Sequence, residues 1–265
     1  MNFDRLIPVI RQLALEAGDR IMQVYNGPDF AVKAKSDASP VTEADEAADA
    51  LISAGLRAAF PDVVLITEEQ ADGPFAHVVD ILSGADLTVG NLECVVSDLG
   101  EAGEKSYTFR APPRATAGLA AAGFDLVSVA NNHSLDFGPE ALLDTVERLR
   151  VASVEAVGGG RDDEEAYRYK VLTTNGVRVA FMGLAEVPSD GAYDRRAWTA
   201  APEKPGIAWV DEERLASAIR EAVDAADIVV VMFHFGVEGA AEPSGRQRQV
   251  ARLAIDAGAN LVLGS

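Results

Sequence analysis

Cysteine is almost missing from this chain: Cys94 is the one thiol in 265 residues. No intrachain disulfide can form, so the fold does not depend on an oxidising compartment, and Cys94 itself reads as a small buried apolar residue. Base is scarce as well. Lys and Arg total 23 against 42 Asp and Glu, a net charge of −19, and sequence-independent nucleic-acid binding needs clustered cations, so nucleic acid is not expected as a partner. The acid excess is spread along the chain, with 6 basic and 12 acidic residues in 1–71 and 17 and 30 in the rest, leaving neither an acidic tail nor a basic stripe. No apolar run approaches the ~20 residues of a membrane span. Near the amino terminus, Asp4, Arg5, Arg11, Glu16, Asp19 and Arg20 interrupt any signal-peptide core. The expectation is a cytoplasmic protein without a membrane span. Internal repeats and low-complexity segments are also missing.

What is present is apolar content, 48% of residues, enough for one large or two small domains with real cores. From Phe3 to Tyr25, Leu6, Val9, Ile10, Leu13, Ala14, Ala17 and Ile21 recur at helical spacing until Asn26-Gly27-Pro28 stops the pattern. An extended piece over 30–34 leads into a polar loop, Ser36 to Pro40. Thr42 then reads as the cap of a second amphipathic helix that ends at Pro61-Asp62. The short apolar run 63–66 reads as a strand buried on both faces, delivering Glu68 and Glu69 at its carboxyl end. Beyond Pro74 the rhythm is α/β: helices near 75–83, 113–122, 139–150, 211–225 and 244–257 alternate with strands near 86–90, 125–129, 154–157, 227–233 and 260–263. Strands 168–174 and 177–184 are joined by Asn175-Gly176, a strong hairpin signal. Ser244 and Gln247 read as a capping box, and Gly158-Gly159-Gly160 as a flexible turn.

In open α/β sheets ligands sit outside the carboxyl ends of the strands, and there the sequence places a coherent polar set: Glu68 and Glu69, Asn91 and Glu93, Asn131, Asn132 and His133, then His234 and Glu238. Carboxylate, amide and imidazole groups on one edge suit a divalent-metal hydrolase, with oxygen and nitrogen ligands for the ion and a histidine to move a proton. Plainer roles exist for each. Asn131-Asn132 is also a turn pair, His234 in its apolar run is also a core imidazole needing a partner, and His77 reads as a surface or boundary residue.

Four segments carry a resemblance: 85–93 (Ala-Asp-Leu-Thr-Val-Gly-Asn-Leu-Glu), 107–112 (Tyr-Thr-Phe-Arg-Ala-Pro), 130–138 (Ala-Asn-Asn-His-Ser-Leu-Asp-Phe-Gly) and 234–238 (His-Phe-Gly-Val-Glu). In this order they resemble the motifs of the CapA family of poly-γ-glutamate capsule synthesis proteins, which has a metallophosphoesterase-like fold. The resemblance implies a layered α/β sandwich, a central mixed sheet flanked by helices, over residues 72–265. It implies a metal centre of Mn, Mg or Fe held by Asn91, Asn132 and His234, with Glu93 beside them, and His133 as general acid. Asn91 stands where such enzymes carry a bridging acid. The family's opening Gly-Asp motif and its later Gly-His-His-Pro-His segment have no counterpart in the chain. Residues 1–71 are instead similar to the amino-terminal part of the inositol monophosphatase superfamily, CysQ-type 3'(2'),5'-bisphosphate nucleotidases above all. That likeness rests on Ala17-Gly18-Asp19, Lys33-Ala34-Lys35-Ser36-Asp37, Ser39 to Asp45 and Glu68-Glu69, and it implies Asp45 and Glu68 at a magnesium site. The Asp-Pro-x-Asp-Gly-Thr motif of that family is missing.

The combined reading is a joined chain whose metal set is Glu68, Asn91, Glu93, Asn132 and His234, with Glu68 standing in for the missing opening acid. Its expected chemistry is metal-assisted hydrolysis of a phosphate or acyl centre in a small or polymeric anionic substrate, with His133 as proton donor, an activity that the missing motifs put in question. A bisphosphate nucleotidase fragment and a non-catalytic binding or assembly module are the alternatives. Arg110, Arg195 and Arg196 are candidates for contacting a polyanion, and also read as solvated surface arginines.

Overall fold

The computed structural model describes residues 3–25, 32–34, 40–42, 47–48, 50–52, 54–55, 75, 77–187 and 194–265. The chain divides into two compact units, Met1–His77 and Val78–Ser265. In the first, α1 (Phe3–Tyr25) coincides with the periodic run and buries Leu13 and Ala17, one turn apart. Helical residues recur between 47 and 55, where Gly55 lets the chain approach closely: a Cβ there would lie 2.2 Å from Leu13 Cδ2. β1 (Val32–Ala34) and β2 (Pro40–Thr42) pair antiparallel. Thr42, expected to cap a helix, is partnered with Val32 in that ladder. Asp45, the strand expected at 63–66, and Glu68 and Glu69 lie outside the described residues.

The second unit is a layered α/β structure. In chain order its elements begin with α2 (Val79–Ser83), β3 (Val89–Asn91), β4 (Val95–Val96), β5 (Arg110–Ala111), α3 (Ala115–Ala121) and β6 (Leu126–Ser128). Next come α4 (Pro139–Val151), β7 (Glu155–Val157), β8 (Gly159–Gly160), α5 (Asp163–Ala166), β9 (Lys170–Thr174) and β10 (Val177–Glu186). The last are α6 (Arg195–Trp198), β11 (Gly206–Ile207), α7 (Glu212–Ala225), β12 (Ile228–Phe235), α8 (Gly245–Ala257) and β13 (Leu261–Gly264). The central sheet is mixed, ordered β13-β12-β10-β9, with β9 antiparallel across the Asn175-Gly176 hairpin and the rest parallel. Both turn residues have positive φ, 49° and 81°, the geometry that Asn-Gly accepts at least cost.

Strand alternation divides the core. Ala180, Met182 and Leu184 of β10 with Val229, Val231 and Phe233 of β12 pack against Leu215, Ile219, Val250 and Ala254 of α7 and α8. The alternate residues, Val179, Phe181, Val230 and Met232, pack on Leu126 and Val157 of a second, three-stranded parallel sheet, β3-β6-β7. Both faces of β10 and β12 are therefore buried, which is why these strands read as unbroken apolar runs. The capping box of Ser244 and Gln247 is formed at α8.

Gly158-Gly159-Gly160 is not a flexible connection but a buried segment, with β8 paired to β11. Gly158 has φ +87°, and a Cβ there would stand 2.5 Å from Ala130 Cβ and 2.9 Å from the Gly183 carbonyl oxygen. Glycine is required by close approach of the two sheets, a tertiary demand that composition alone presents as looseness.

Candidate functional site

β3 and β6 are parallel neighbours in which Asn91 is level with Ser128. The turn that follows β6 therefore lies beside the end of β3. Asn131, fully buried, ties the two together. Its Nδ2 donates to Asn91 Oδ1 at 3.0 Å and to the Leu92 carbonyl at 2.9 Å, while its Oδ1 accepts from the His133 backbone N–H at 3.0 Å and lies 2.9 Å from Ser134 Oγ. Every polar valence of this side chain is used inside the protein, so Asn131 is a brace and not a ligand.

Asn132 faces the other way chemically. Its Oδ1 lies 2.8 Å from Nε2 of His234, which the central sheet delivers at the end of β12. Around the same imidazole stand Glu93 Oε1, 3.5 Å from Nε2, with Asn91 Nδ2 and Ser265 Oγ at 3.5 and 3.2 Å from Nδ1. Asn91 Nδ2 also donates to Glu93 Oε2 at 3.2 Å. Asn91, Glu93, Asn132 and His234, four residues separated by up to 143 positions, thus share one neighbourhood. Glu238 is exposed and makes no contact with this group among the described residues.

Burial is the largest influence on His234 and lowers its pKa below 6.5; Glu93 opposes this, and His133 adds to it. The ring is therefore neutral at pH 7, the form in which imidazole offers a lone pair. With Asn132 Oδ1 as an acceptor beside Nε2, that nitrogen carries the proton and Nδ1 accepts from Ser265 or Asn91.

His133 lies beside this cluster and is 7% exposed. Its Nδ1 is 2.6 Å from Asp136 Oδ2, three residues on in the same turn. The ring of Phe109 stacks on it at 4.0 Å between centroids, and the Phe109 N–H donates to the same Asp136 oxygen at 2.7 Å. Asp136 Oδ1 receives Lys105 Nζ at 2.6 Å. A carboxylate accepts only, so His133 donates from Nδ1, and Nε2 is the nitrogen without a hydrogen bond among the described residues. An imidazole oriented by a carboxylate, with one nitrogen open, is the arrangement that general acid–base chemistry uses.

The donors can be tested against a divalent cation. Glu93 Oε1 and Asn132 Oδ1 both lie within 3.5 Å of His234 Nε2, so one carboxylate, one amide oxygen and one imidazole meet at a point. These oxygen and nitrogen donors fit a single Mg, Mn or Fe ion in chemical type. Among the described residues no group of three or more His, Cys, Asp or Glu side chains is placed to hold a metal ion, so such a site depends on the Asn132 amide oxygen as well.

Two residues of this neighbourhood were missed from the sequence. Asp136 stands within the 130–138 segment, where its i,i+3 spacing from His133 is the available signal; Lys105 lies in irregular chain with no such mark. Cys94, half-buried, has its thiol pKa raised, first by burial and then by the charges of Asp136 and Glu93. Of the arginines offered for a polyanion, Arg110 is committed to the Leu99 and Gly100 carbonyls and the Phe137 ring. Arg195 lies over Trp209 and beside Glu186, while Arg196 is exposed. His77 is exposed. Among the described residues no helix is long and apolar enough to cross a membrane.

Comparison with known proteins adds four findings. A family profile, "Bacterial capsule synthesis protein PGA_cap", matches residues 33–265. The chain is 30% identical to the capsule biosynthesis protein CapA of Bacillus anthracis over 208 residues, 76% of this chain and 49% of that protein. It is 31% identical to the PGA biosynthesis protein CapA of Bacillus subtilis (strain 168) over 203 residues, 75% and 52% of the two chains. The chain thus spans about half the length of these relatives. A shorter stretch of 69 residues, 26% of this chain and 28% of the relative, is 48% identical to the 3'(2'),5'-bisphosphate nucleotidase CysQ of Escherichia coli (strain K12).

Proposed function

We propose, from the premise that this chain belongs to the family of bacterial capsule synthesis proteins PGA_cap, that it serves poly-γ-glutamate capsule biosynthesis as a metal-dependent hydrolase acting on a phosphate ester. The observation that carries the reading is the meeting of Asn91, Glu93, Asn132 and His234 beside the His133–Asp136 pair.

In this reading Glu93, Asn132 and His234, with Asn91 behind them, hold one divalent cation, which when bound supplies electrostatic stabilisation of charge developing on the substrate. His133 exchanges a proton at Nε2 with the leaving group, Asp136 keeps its Nδ1 proton in place, and Phe109 covers one face of the ring and keeps water from it. His234 can offer Nε2 to the cation once its single ring proton moves to Nδ1, where Ser265 Oγ stands 3.2 Å away as an acceptor. The substrate is anionic, small or polymeric, and the charge of −19 makes the cation its principal attraction.

Residues 1–71 are read as a joined segment of bisphosphate nucleotidase type. A second reading, a binding or assembly module without turnover, is favoured by one observation: the polar groups around His234 already satisfy each other. Turnover of a generic phosphate ester by the full chain with Mn²⁺ or Mg²⁺, lost in His133→Ala, supports the hydrolase. Metal binding without turnover in the parent protein leaves the binding module.

A further inference from the structure

Lys105 belongs to the irregular stretch between β4 and β5, yet its side chain is only 7% exposed. Nζ donates to Asp136 Oδ1 and to the Asn132 carbonyl, both at 2.6 Å, and lies 5.1 Å from the centre of the Trp198 ring. It also lies 3.4 Å from His133 Nδ1. That last contact is not a hydrogen bond. An ammonium has donors only, and the proton on His133 Nδ1 is directed to Asp136 Oδ2 at 2.6 Å. The side-chain route from Lys105 to the His133 ring therefore runs through Asp136, whose two oxygens are divided: Oδ1 to Lys105, Oδ2 to His133 and Phe109.

A buried ammonium is costly unless paired, and an apolar residue of similar length would fill the same space more cheaply. What methionine could not do is hold one carboxylate oxygen while leaving the other aimed at the imidazole. We propose that Lys105 is a positioning residue for His133. It sets the rotation of Asp136, fixes the imidazole as the tautomer protonated at Nδ1, and fastens the 105–109 segment, with the stacking ring of Phe109, onto the pair. The inference deepens the reading of His133 as the proton-exchanging group and rests on it for its functional meaning, but its physical content is the state of one ring.

The experiment is ¹⁵N NMR of the histidines in the full chain at pH 8, with His133 assigned by the signal lost in His133→Gln. In the parent protein His133 shows the Nδ1–H pattern and a slowly exchanging Nδ1 proton. In Lys105→Met, whose fold is checked by far-UV circular dichroism and the urea midpoint, the ring nitrogens shift toward the averaged values of two interconverting tautomers and the Nδ1 proton is lost to exchange. Lys105→Arg restores the parent pattern at least in part. If Lys105→Met does not fold, Lys105→Gln, which keeps a neutral donor to the Asn132 carbonyl, is read in the same way. An unchanged His133 pattern in whichever uncharged variant folds, or an arginine variant no different from it, overturns the proposal. Where turnover is present, kcat falls at least tenfold with KM unchanged. Where the parent has none, the hydrolase reading has failed and the ring signals still decide the role of Lys105.

Discussion

Replacing Asn131 with alanine would separate the two strand ends that make the site. The side chain is fully buried and donates to Asn91 Oδ1 and the Leu92 carbonyl while accepting from the His133 N–H. Its contact with Ser134 Oγ counts for less, because that hydroxyl has one proton and also lies against the Val129 carbonyl. Three lost hydrogen bonds at about 1 kcal/mol each, with a buried His133 N–H left unpaired at a further 1 kcal/mol or so, give a destabilisation of about 3–5 kcal/mol. Urea unfolding followed by tryptophan fluorescence measures it cleanly, since Trp198 and Trp209 are the chain's two tryptophans and both lie in the Val78–Ser265 unit. Asn131→Asp is the sharper control: it keeps the acceptor but turns carboxylate oxygens toward the Asn91 and Leu92 oxygens, and should lose no less than alanine does. A loss below about 1 kcal/mol in Asn131→Ala, less than one buried hydrogen bond with its orphaned partner, would refute the brace.

Gly158→Ala should destabilise the same unit by about 2–4 kcal/mol, combining positive-φ strain with overpacking, because the new methyl would meet the Gly183 carbonyl at 2.9 Å; an unchanged urea midpoint would show that the sheets do not press together there. The depressed pKa of His234 has a definite sign. Below pH 6.5 the unfolded chain takes up a proton that the folded ring resists, so the stability present above 6.5 falls as pH drops toward the folded pKa, by at most about 1.4 kcal/mol per pH unit. His234→Gln should flatten that part of the stability profile, and an identical profile in parent and variant would contradict the assignment. Cys94, its thiol pKa raised mainly by burial, should react with iodoacetamide more slowly at pH 7.5 than a free cysteine and accelerate as pH rises; fast labelling of folded protein would contradict its burial.

Strand ends were legible in the sequence because the two faces of β10 and β12 are both covered, which writes an apolar run and then a sudden polar residue at His234. The same logic located Asn91 and the Asn131 to His133 turn at the end of their strands. What the sequence could not separate was the division of labour within that turn: Asn131 and Asn132 are chemically identical, and only the third dimension makes one a brace and the other a neighbour of His234. Lys105 was invisible for a different reason. Its partners are 27 to 31 residues away, and the chain around it has no period from which a buried face could be read. The glycine triplet misled in the opposite direction, since the lack of side chains that suggests freedom in a sequence is, between two stacked sheets, what permits confinement.

The claim at the centre is that Glu93, Asn132 and His234 form one cation site, and an anomalous-difference map from crystals of the full chain grown with Mn²⁺ tests it most directly. The expected result is a single peak within coordinating distance of the Asn132 Oδ1 and His234 ring-nitrogen positions. Ordered manganese elsewhere in the molecule, or none beside His234 at saturating metal, would contradict it.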